Sequence, residues 1–218
     1  MKIVIDKAVP FIEGVFEPYV DEVLYKEGSE INRNDVMDAD ALVTRTRTRC
    51  NAELLEGTSV KMIATATIGT DHIDLPWCEQ HSIFVRNAAG CNAGGVMNYV
   101  FSAIYGAAAR NSMPLTGSTI GIVGVGSVGS RVEAMARQLG FKVLLCDPPR
   151  AQKEGPAHFC ALEYLLENSD IVTLHVPLDD STRHMADSSF FSKMRQGAIF
   201  VNAARGELVV DEDLLDAI

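Results

Sequence analysis

A glycine-rich loop in the middle of the chain has the spacing of a dinucleotide-binding loop. It follows the apolar run 119–123, precedes a helical pattern and reads Gly124-Val125-Gly126-Ser127-Val128-Gly129. In such loops the first glycine permits a tight turn, the second lets the backbone approach a pyrophosphate, and the third lets helix and strand pack closely. The free N–H groups at the start of the helix serve the phosphates. The candidate cofactor-binding residues here are Gly124, Gly126, Ser127, Val128 and Gly129.

An acidic residue follows this loop at the distance of a ribose contact. Asp147 comes about 18 residues after Gly129, directly behind the apolar run 143–146. A carboxylate about 20 residues beyond such a loop accepts hydrogen bonds from the adenosine ribose. Because this carboxylate would repel a 2′-phosphate, the pattern favours NAD over NADP.

Strands and helices alternate strictly around the loop. Apolar runs predict four strands, at 119–123, 143–146, 171–176 and 198–202. Helical patterns separate them, near 127–139, 161–168 and 188–194. This alternation predicts an α/β fold with a doubly wound parallel sheet, the Rossmann type of cofactor domain.

The first half of the chain predicts a second, smaller α/β domain. Its strands are indicated by short apolar runs at 2–5, 41–44, 62–66 and 83–85. The segment 94–110 is apolar on nearly every face and rich in alanine, which predicts a helix buried all round between two domains. We therefore expect a first domain at 1–93, a connecting helix at 94–112 and a dinucleotide domain at 113–218.

Composition excludes several classes of function. The net charge of −10 disfavours nucleic acid or an anionic membrane as the main partner. The five cysteines are odd in number and form no CxxC pair, which argues against a disulfide framework and against a zinc site, and no other cluster predicts a metal. No run of about 18 apolar residues and no signal peptide is present, so a cytoplasmic protein is expected.

The end of the chain predicts a longer protein. Asp211 has the character of an N-cap, and a helical pattern follows it, but no C-terminal helix signal precedes the last residue, Ile218. A complete dinucleotide-binding sheet commonly has about six strands, of which four are visible. We expect an N-terminal portion with an unpaired sheet edge and a tendency to associate.

Together these motifs resemble the D-2-hydroxyacid dehydrogenases. The resemblance covers the whole chain and rests on the glycine loop, on the Asn-Ala-Ala-Arg-Gly motif at 202–206, and on narrower motifs at 64–74, 90–93 and 145–151. It implies a flavodoxin-like substrate domain joined to a Rossmann NAD domain, a homodimer, and a small phosphorylated hydroxy acid as substrate. Two features depart from the narrower pattern: Asn98 stands where a glutamate is expected, and the loop 178–184 is short.

Arg205 is the candidate catalytic cation. Oxidation of a 2-hydroxy acid needs a cation for the carboxylate, a base for the hydroxyl proton and a nicotinamide that takes the hydride. Arg205 follows a strand end, where ligands bind in open parallel sheets, and a guanidinium can bind a carboxylate through two hydrogen bonds. By resemblance, Val176, Ala203, Ala204 and Arg205 also face NAD.

The base is not evident among the five histidines. The resemblance implies a histidine paired with a glutamate, and both would lie beyond Ile218. Within the chain, His175 is the runner-up because it ends a strand near the predicted cofactor cleft.

Alternating threonines and arginines at 44–49 suggest an anion site in the first domain. The resemblance makes the hydroxyls of Thr46 and Thr67 substrate contacts, and Arg45 is the best placed cation for a phosphate. A solvated edge whose arginines pair with nearby acids is the alternative. The function predicted is NAD-dependent oxidation of a phosphorylated 2-hydroxy acid. Another family member, such as a phosphoglycerate dehydrogenase, and a non-catalytic NAD-sensing module remain open.

Overall fold

Nine strands form two separate sheets in which every neighbouring pair is parallel. The computed structural model describes all of residues 1–218. The chain divides into two units, residues 1–91 and 92–218. Parallel sheets covered by helices confirm the predicted α/β class.

The first unit has a five-stranded sheet in the order β2-β1-β3-β4-β5. Its strands are β1 (Lys2–Asp6), β2 (Glu22–Lys26), β3 (Ala41–Thr44), β4 (Met62–Thr65) and β5 (Phe84–Asn87). Its helices are short: α1 (Arg33–Val36), α2 (Ala52–Leu55) and α3 (Leu75–Gln80). This strand order is that of flavodoxin, as the resemblance implied.

The second unit has a four-stranded sheet in the order β7-β6-β8-β9. Its strands are β6 (Thr119–Val123), β7 (Lys142–Cys146), β8 (Ile171–Leu174) and β9 (Ile199–Asn202), so all four predicted strands are confirmed. Its helices are α4 (Ala93–Arg110), α5 (Gly129–Gln138), α6 (Pro148–Glu154), α7 (Leu162–Asn168), α8 (Ser188–Lys193) and α9 (Asp211–Ala217). None of the helices combines the length and apolar composition needed to cross a lipid bilayer.

The core of the second unit lies on both faces of its sheet. On one face α4 and α5 pack on Ile120 and Ile122, both fully buried. On the other face α7 lies directly over Gly121, where an added β-carbon would be 2.3 Å from Leu165 Cδ2. A strand residue without a side chain therefore sets how closely α7 approaches the sheet.

The prediction that α4 is buried all round is wrong. Its buried residues form one face, at Ala93, Val100, Phe101, Ile104 and Ala108. The opposite face is exposed and includes Gly95, Tyr99, Ser102, Tyr105, Gly106 and Ala109. Glycine and alanine raise the apolar count of this helix, but they contribute little surface that has to be buried.

A second correction concerns the last helix. Asp211 is not its N-cap but its first helical residue, and the capping position is Val210, which has no capping side chain. The carboxylates at 211–213 still lie in the first helical turn, where the helix dipole favours negative charge.

Candidate functional site

The glycine loop lies at the point where the strand order of the second sheet reverses. Strand β6 has β7 on one side and β8 on the other, so the chain leaves β6 and β8 toward opposite sides of the sheet. In open parallel sheets this switch point opens a crevice at the carboxyl ends of the strands, and ligands bind there. Residues 124–129 after β6 and residues 175–176 after β8 form the two sides of this crevice.

Gly124 cannot carry a side chain because another backbone segment passes beside it. Its φ is +87°, and a β-carbon there would be 2.7 Å from the carbonyl carbon of His175 and 2.8 Å from the amide nitrogen of Val176. The structure thus brings the backbone of Val176 against the glycine loop, and its contact with NAD stays a prediction.

The other two glycines have different surroundings. A β-carbon on Gly129 would lie 2.0 Å from the carbonyl oxygen of Gly124, whereas one on Gly126 would meet no protein atom within 4 Å. Gly126 and Ser127 are exposed, whereas the amides of residues 130–132 in the first turn of α5 already donate to the carbonyls of Gly126 and Val128. The open space beside Gly126 and the loop amides that precede α5 fit the pyrophosphate of a dinucleotide.

Asp147 is hydrogen-bonded to the glycine loop and can still accept hydrogen bonds from a ligand. Its Oδ2 accepts a hydrogen bond from the Val125 amide at 2.7 Å, and its Oδ1 accepts one from the Arg150 amide at 3.0 Å. An ionised carboxylate has about four acceptor positions, so both oxygens can still accept from ribose hydroxyls. The Arg150 bond also makes Asp147 the N-cap of α6.

His175 is held as a neutral imidazole. Its Nε2 lies 3.0 Å from the hydroxyl of Thr173, and burial lowers the pKa of the ring from 6.5 to about 4. Desolvation disfavours the charged imidazolium, and the ring therefore takes up protons only weakly near neutral pH. This observation argues against His175 as a general base.

The turn that carries Arg205 is braced by Asn202, a residue that the sequence analysis did not single out. Asn202 Nδ2 donates to the Arg205 carbonyl at 2.6 Å, and its Oδ1 accepts from the Ala204 amide at 3.0 Å. The Arg205 guanidinium is half-buried and donates to the Ala204 carbonyl at 3.0 Å. A polar residue at the end of a buried strand was the available signal.

A cavity of about 300 Å³ lies beside this turn in the second unit. It is lined by Ala203 and by the first turns of α4, at Asn92, Gly95, Val96 and Tyr99. The expected cofactor residues in the second unit therefore lie on the glycine loop, at the start of α6 and around this cavity.

In the first unit the predicted substrate residues follow β3 and β4. Thr46 is exposed, and Arg45 is half-buried, with its Nη1 donating to the Ala8 carbonyl at 2.9 Å. Because the two strands are parallel neighbours, these residues and Thr67 share one edge of the sheet.

Thr67 belongs to a chain of hydrogen bonds that also includes Thr65 and His72. Its hydroxyl donates to the Gly69 carbonyl at 3.0 Å and lies 2.7 Å from the Thr65 hydroxyl, which lies 3.2 Å from His72 Nε2. The Thr67 proton is committed to the Gly69 carbonyl, whereas the single proton of Thr65 has two acceptors, the Thr67 hydroxyl and the Thr44 carbonyl at 3.4 Å. Burial lowers the pKa of His72, consistent with a neutral ring. Thr67 therefore offers a ligand a lone pair rather than a proton.

Comparison with known proteins gives a consistent result. Residues 98–218 match the family model described as D-isomer specific 2-hydroxyacid dehydrogenase, NAD binding domain, which confirms NAD as the cofactor. The whole chain is 45% identical to the erythronate-4-phosphate dehydrogenase of Bacteroides fragilis and 42% identical to that of Yersinia pestis. It spans 64% and 59% of their lengths, respectively.

A solved structure agrees in fold. The NAD⁺-bound 3-phosphoglycerate dehydrogenase of Entamoeba histolytica is 28% identical and superimposes with a TM-score of 0.84. The match covers 99% of this chain and 76% of that one.

Two glycine substitutions should distinguish the glycine that leaves room for the cofactor from the glycine that the packing of the loop requires. Gly126→Ala places a methyl group in open space, so the protein should stay folded while its affinity for NADH falls at least about tenfold. Gly129→Ala forces a methyl group onto the Gly124 carbonyl and should cost about 3 kcal/mol of stability. Calorimetric titration with NADH and thermal unfolding measure the two effects. Unchanged NADH affinity in Gly126→Ala would contradict the placement of the pyrophosphate.

The buried imidazole of His175 should make folding sensitive to acid. Its pKa is about 4 in the folded protein and about 6.5 when unfolded, so the unfolded chain binds more protons between these values. The free energy of unfolding therefore falls as pH falls through this window, by about 2 kcal/mol between pH 7.5 and 4.5. Denaturant titrations at both pH values should show this loss, reduced in His175→Gln. An NMR titration of the His175 ring with its midpoint near 6.5 would disprove the argument.

Proposed function

Because the chain belongs to the D-isomer-specific 2-hydroxyacid dehydrogenase family, we propose that the complete gene product oxidises a small 2-hydroxy acid with NAD. The observation that supports this most directly is the glycine loop at the switch point, with Asp147 hydrogen-bonded to it. NAD, when bound, accepts the hydride from the carbon that carries the hydroxyl group.

We propose 4-phospho-D-erythronate as the substrate and 2-oxo-3-hydroxy-4-phosphobutanoate as the product, in pyridoxal 5′-phosphate (vitamin B6) synthesis. Relatives named erythronate-4-phosphate dehydrogenase, 42–47% identical over the whole chain, support this assignment. In the first unit, Arg45 and Thr46 supply a cation and a hydroxyl at the carboxyl edge of the sheet, and Thr67 adds an acceptor for a hydroxyl group of the substrate. Charge-assisted hydrogen bonds to a phosphate contribute roughly 1.5–3 kcal/mol each.

Arg205 is proposed to bind the substrate carboxylate and to polarise the oxygen that becomes the carbonyl. Asn202 fixes the backbone at the Ala204 amide and the Arg205 carbonyl, so the turn that carries the guanidinium is ordered before a substrate binds. The hydroxyl proton passes to a base, for which the family resemblance implies a histidine paired with a glutamate. The low pKa of His175 makes that residue unsuited to the role.

Conservative replacement of Arg205 tests the proposed reaction. Arg205→Lys keeps the charge but loses the planar pair of donors, so turnover of 4-phosphoerythronate should fall at least about 100-fold. NADH formation is measured with the complete gene product on phosphorylated and plain 2-hydroxy acids, with Arg137→Lys on α5 as the control. Near-normal turnover in Arg205→Lys would refute the role. If the wild type oxidises only other 2-hydroxy acids, the proposed substrate is wrong. If it binds NAD but oxidises none of the acids, a sensing module is favoured.

We also propose that the protein is a cytoplasmic homodimer. All five cysteines are free, which suits a reducing compartment. The exposed face of α4 carries two large aromatic side chains, with Tyr99 65% and Tyr105 47% exposed, between small residues that allow close approach of a second helix. Such a face is typical of a subunit interface.

Gly106→Arg tests the α4 interface. The position has open space around it, so an arginine there should leave the monomer folded and yet block the close approach of a second copy. Sedimentation velocity should show a dimer for the wild type and a monomer for Gly106→Arg. Gln138→Arg, with the same charge change on α5, should remain dimeric. A dimeric Gly106→Arg would exclude this face.

A further inference from the structure

The backbone of Val125, between the first two loop glycines, is hydrogen-bonded through both its amide and its carbonyl. Its amide donates to Asp147 Oδ2 at 2.7 Å. Its carbonyl accepts from Arg150 Nη1 at 2.7 Å and from the Ser130 hydroxyl at 3.0 Å. Two of these three contacts come from the N-cap and first turn of α6, so this helix holds the backbone of the glycine loop in place.

The guanidinium of Arg150 is held between Glu154 and the glycine loop. Its Nε and Nη2 donate to the two oxygens of Glu154 at 2.8 Å and 2.7 Å, and Nη1 donates to the loop. The centre of the guanidinium also lies 5.6 Å from the ring centroid of Phe159. Every nitrogen of the side chain therefore has a partner within the protein.

Without Glu154, Arg150 would be a suitable ligand for a phosphate. A guanidinium matches the geometry of a phosphate, and an arginine close to the ribose-binding acid is the usual means of accepting the 2′-phosphate of NADP. Arg150 is three residues from Asp147 and its backbone amide contacts that carboxylate. The cluster as built has two carboxylates and one guanidinium, so its net charge is negative.

We propose that Glu154 is a specificity-determining residue for NAD over NADP. It holds Arg150 on the Val125 carbonyl and so withholds from a 2′-phosphate the cation whose own amide contacts Asp147. Arg150 is in turn a positioning residue that fixes the glycine loop before the cofactor arrives. This inference rests on the proposed use of NAD.

Glu154→Gln tests the proposal, because it removes the charge and the second strong acceptor while keeping the shape of the side chain. Calorimetric titrations with NADH and with NADPH should show that the ratio of the NADPH to the NADH dissociation constant falls by about tenfold, mainly through tighter NADPH binding. In the double variant Arg150→Gln/Glu154→Gln the gain in NADPH affinity should disappear. Glu163→Gln makes the same charge change at an ion pair with Lys193 and should keep the wild-type preference.

A second measurement needs no cofactor. In the free protein, Arg150→Gln should accelerate hydrogen–deuterium exchange in the loop peptide that contains residues 124–128, with no comparable change in β6. Unchanged exchange would overturn the positioning role.

The outcomes separate the two proposals. Suppose that the wild type binds NADH and that Glu154→Gln keeps the wild-type preference or lowers the affinities for NADH and NADPH equally. The specificity role of Glu154 is then wrong, while the proposed cofactor stands. If NADPH affinity rises equally in the double variant, Arg150 is not the group released, and the inference is again wrong. Failure of the wild type to bind NADH would instead refute the proposed function.

Discussion

The second unit depends on a crossing of two backbone segments at Gly124. The peptide between His175 and Val176 occupies the space of a β-carbon, and the carbonyl of Gly124 occupies the same space at Gly129. Contacts between backbone atoms cannot relax by a change of rotamer, so the loop, the end of β8 and the start of α5 fix one another. The loop conformation is therefore set by packing in the protein itself, and a ligand need not order it on binding.

The electrostatics of the site are local rather than global. The chain carries a net charge of −10, which on its own would repel a cofactor rich in phosphates. Exposed charges more than about 8 Å apart are largely screened at physiological salt, whereas a charge-assisted hydrogen bond contributes roughly 1.5–3 kcal/mol. A few oriented amides of the glycine loop, with Arg205 after β9, can therefore outweigh the overall charge at the site. The acidic surface can serve solubility without preventing anion binding.

Most strands could be predicted because they are buried on both faces. A parallel strand covered by helices reads as a continuous apolar run, and the predicted runs at 41–44 and 119–123 match β3 and β6 residue for residue. Strand β2 was missed because it is a half-exposed edge with charged residues at both ends, Glu22 and Lys26. Helix α6 was missed because two prolines suggest a break, although proline is favoured in a first helical turn behind an Asp cap.

The site was predictable only where it depends on local sequence. The three glycines and Asp147 have their spacing within one βαβ unit, so the sequence indicates them directly. The brace at Asn202 and the ion pair of Arg150 with Glu154 depend on which backbone atoms the fold brings within 3 Å, and no spacing rule records that. The burial of α4 was misjudged for a similar reason, since residue types alone do not show which face meets the sheet.

The two units also show how similar local arrangements lead to different roles. At the end of β1, Asp6 accepts a hydrogen bond from the Ala8 amide at 2.9 Å, much as Asp147, at the end of β7, accepts one from the Val125 amide at 2.7 Å. A glycine is again required nearby, because a β-carbon on Gly28 would lie 2.3 Å from Asp6 Oδ2. Asp6, however, is only 1% exposed, while Asp147 is half-buried. A carboxylate enclosed by its own chain can only order a turn, whereas one that keeps accessible lone pairs can also bind a ligand. Access to solvent, more than the hydrogen-bond pattern, therefore distinguishes the binding acid from the structural one.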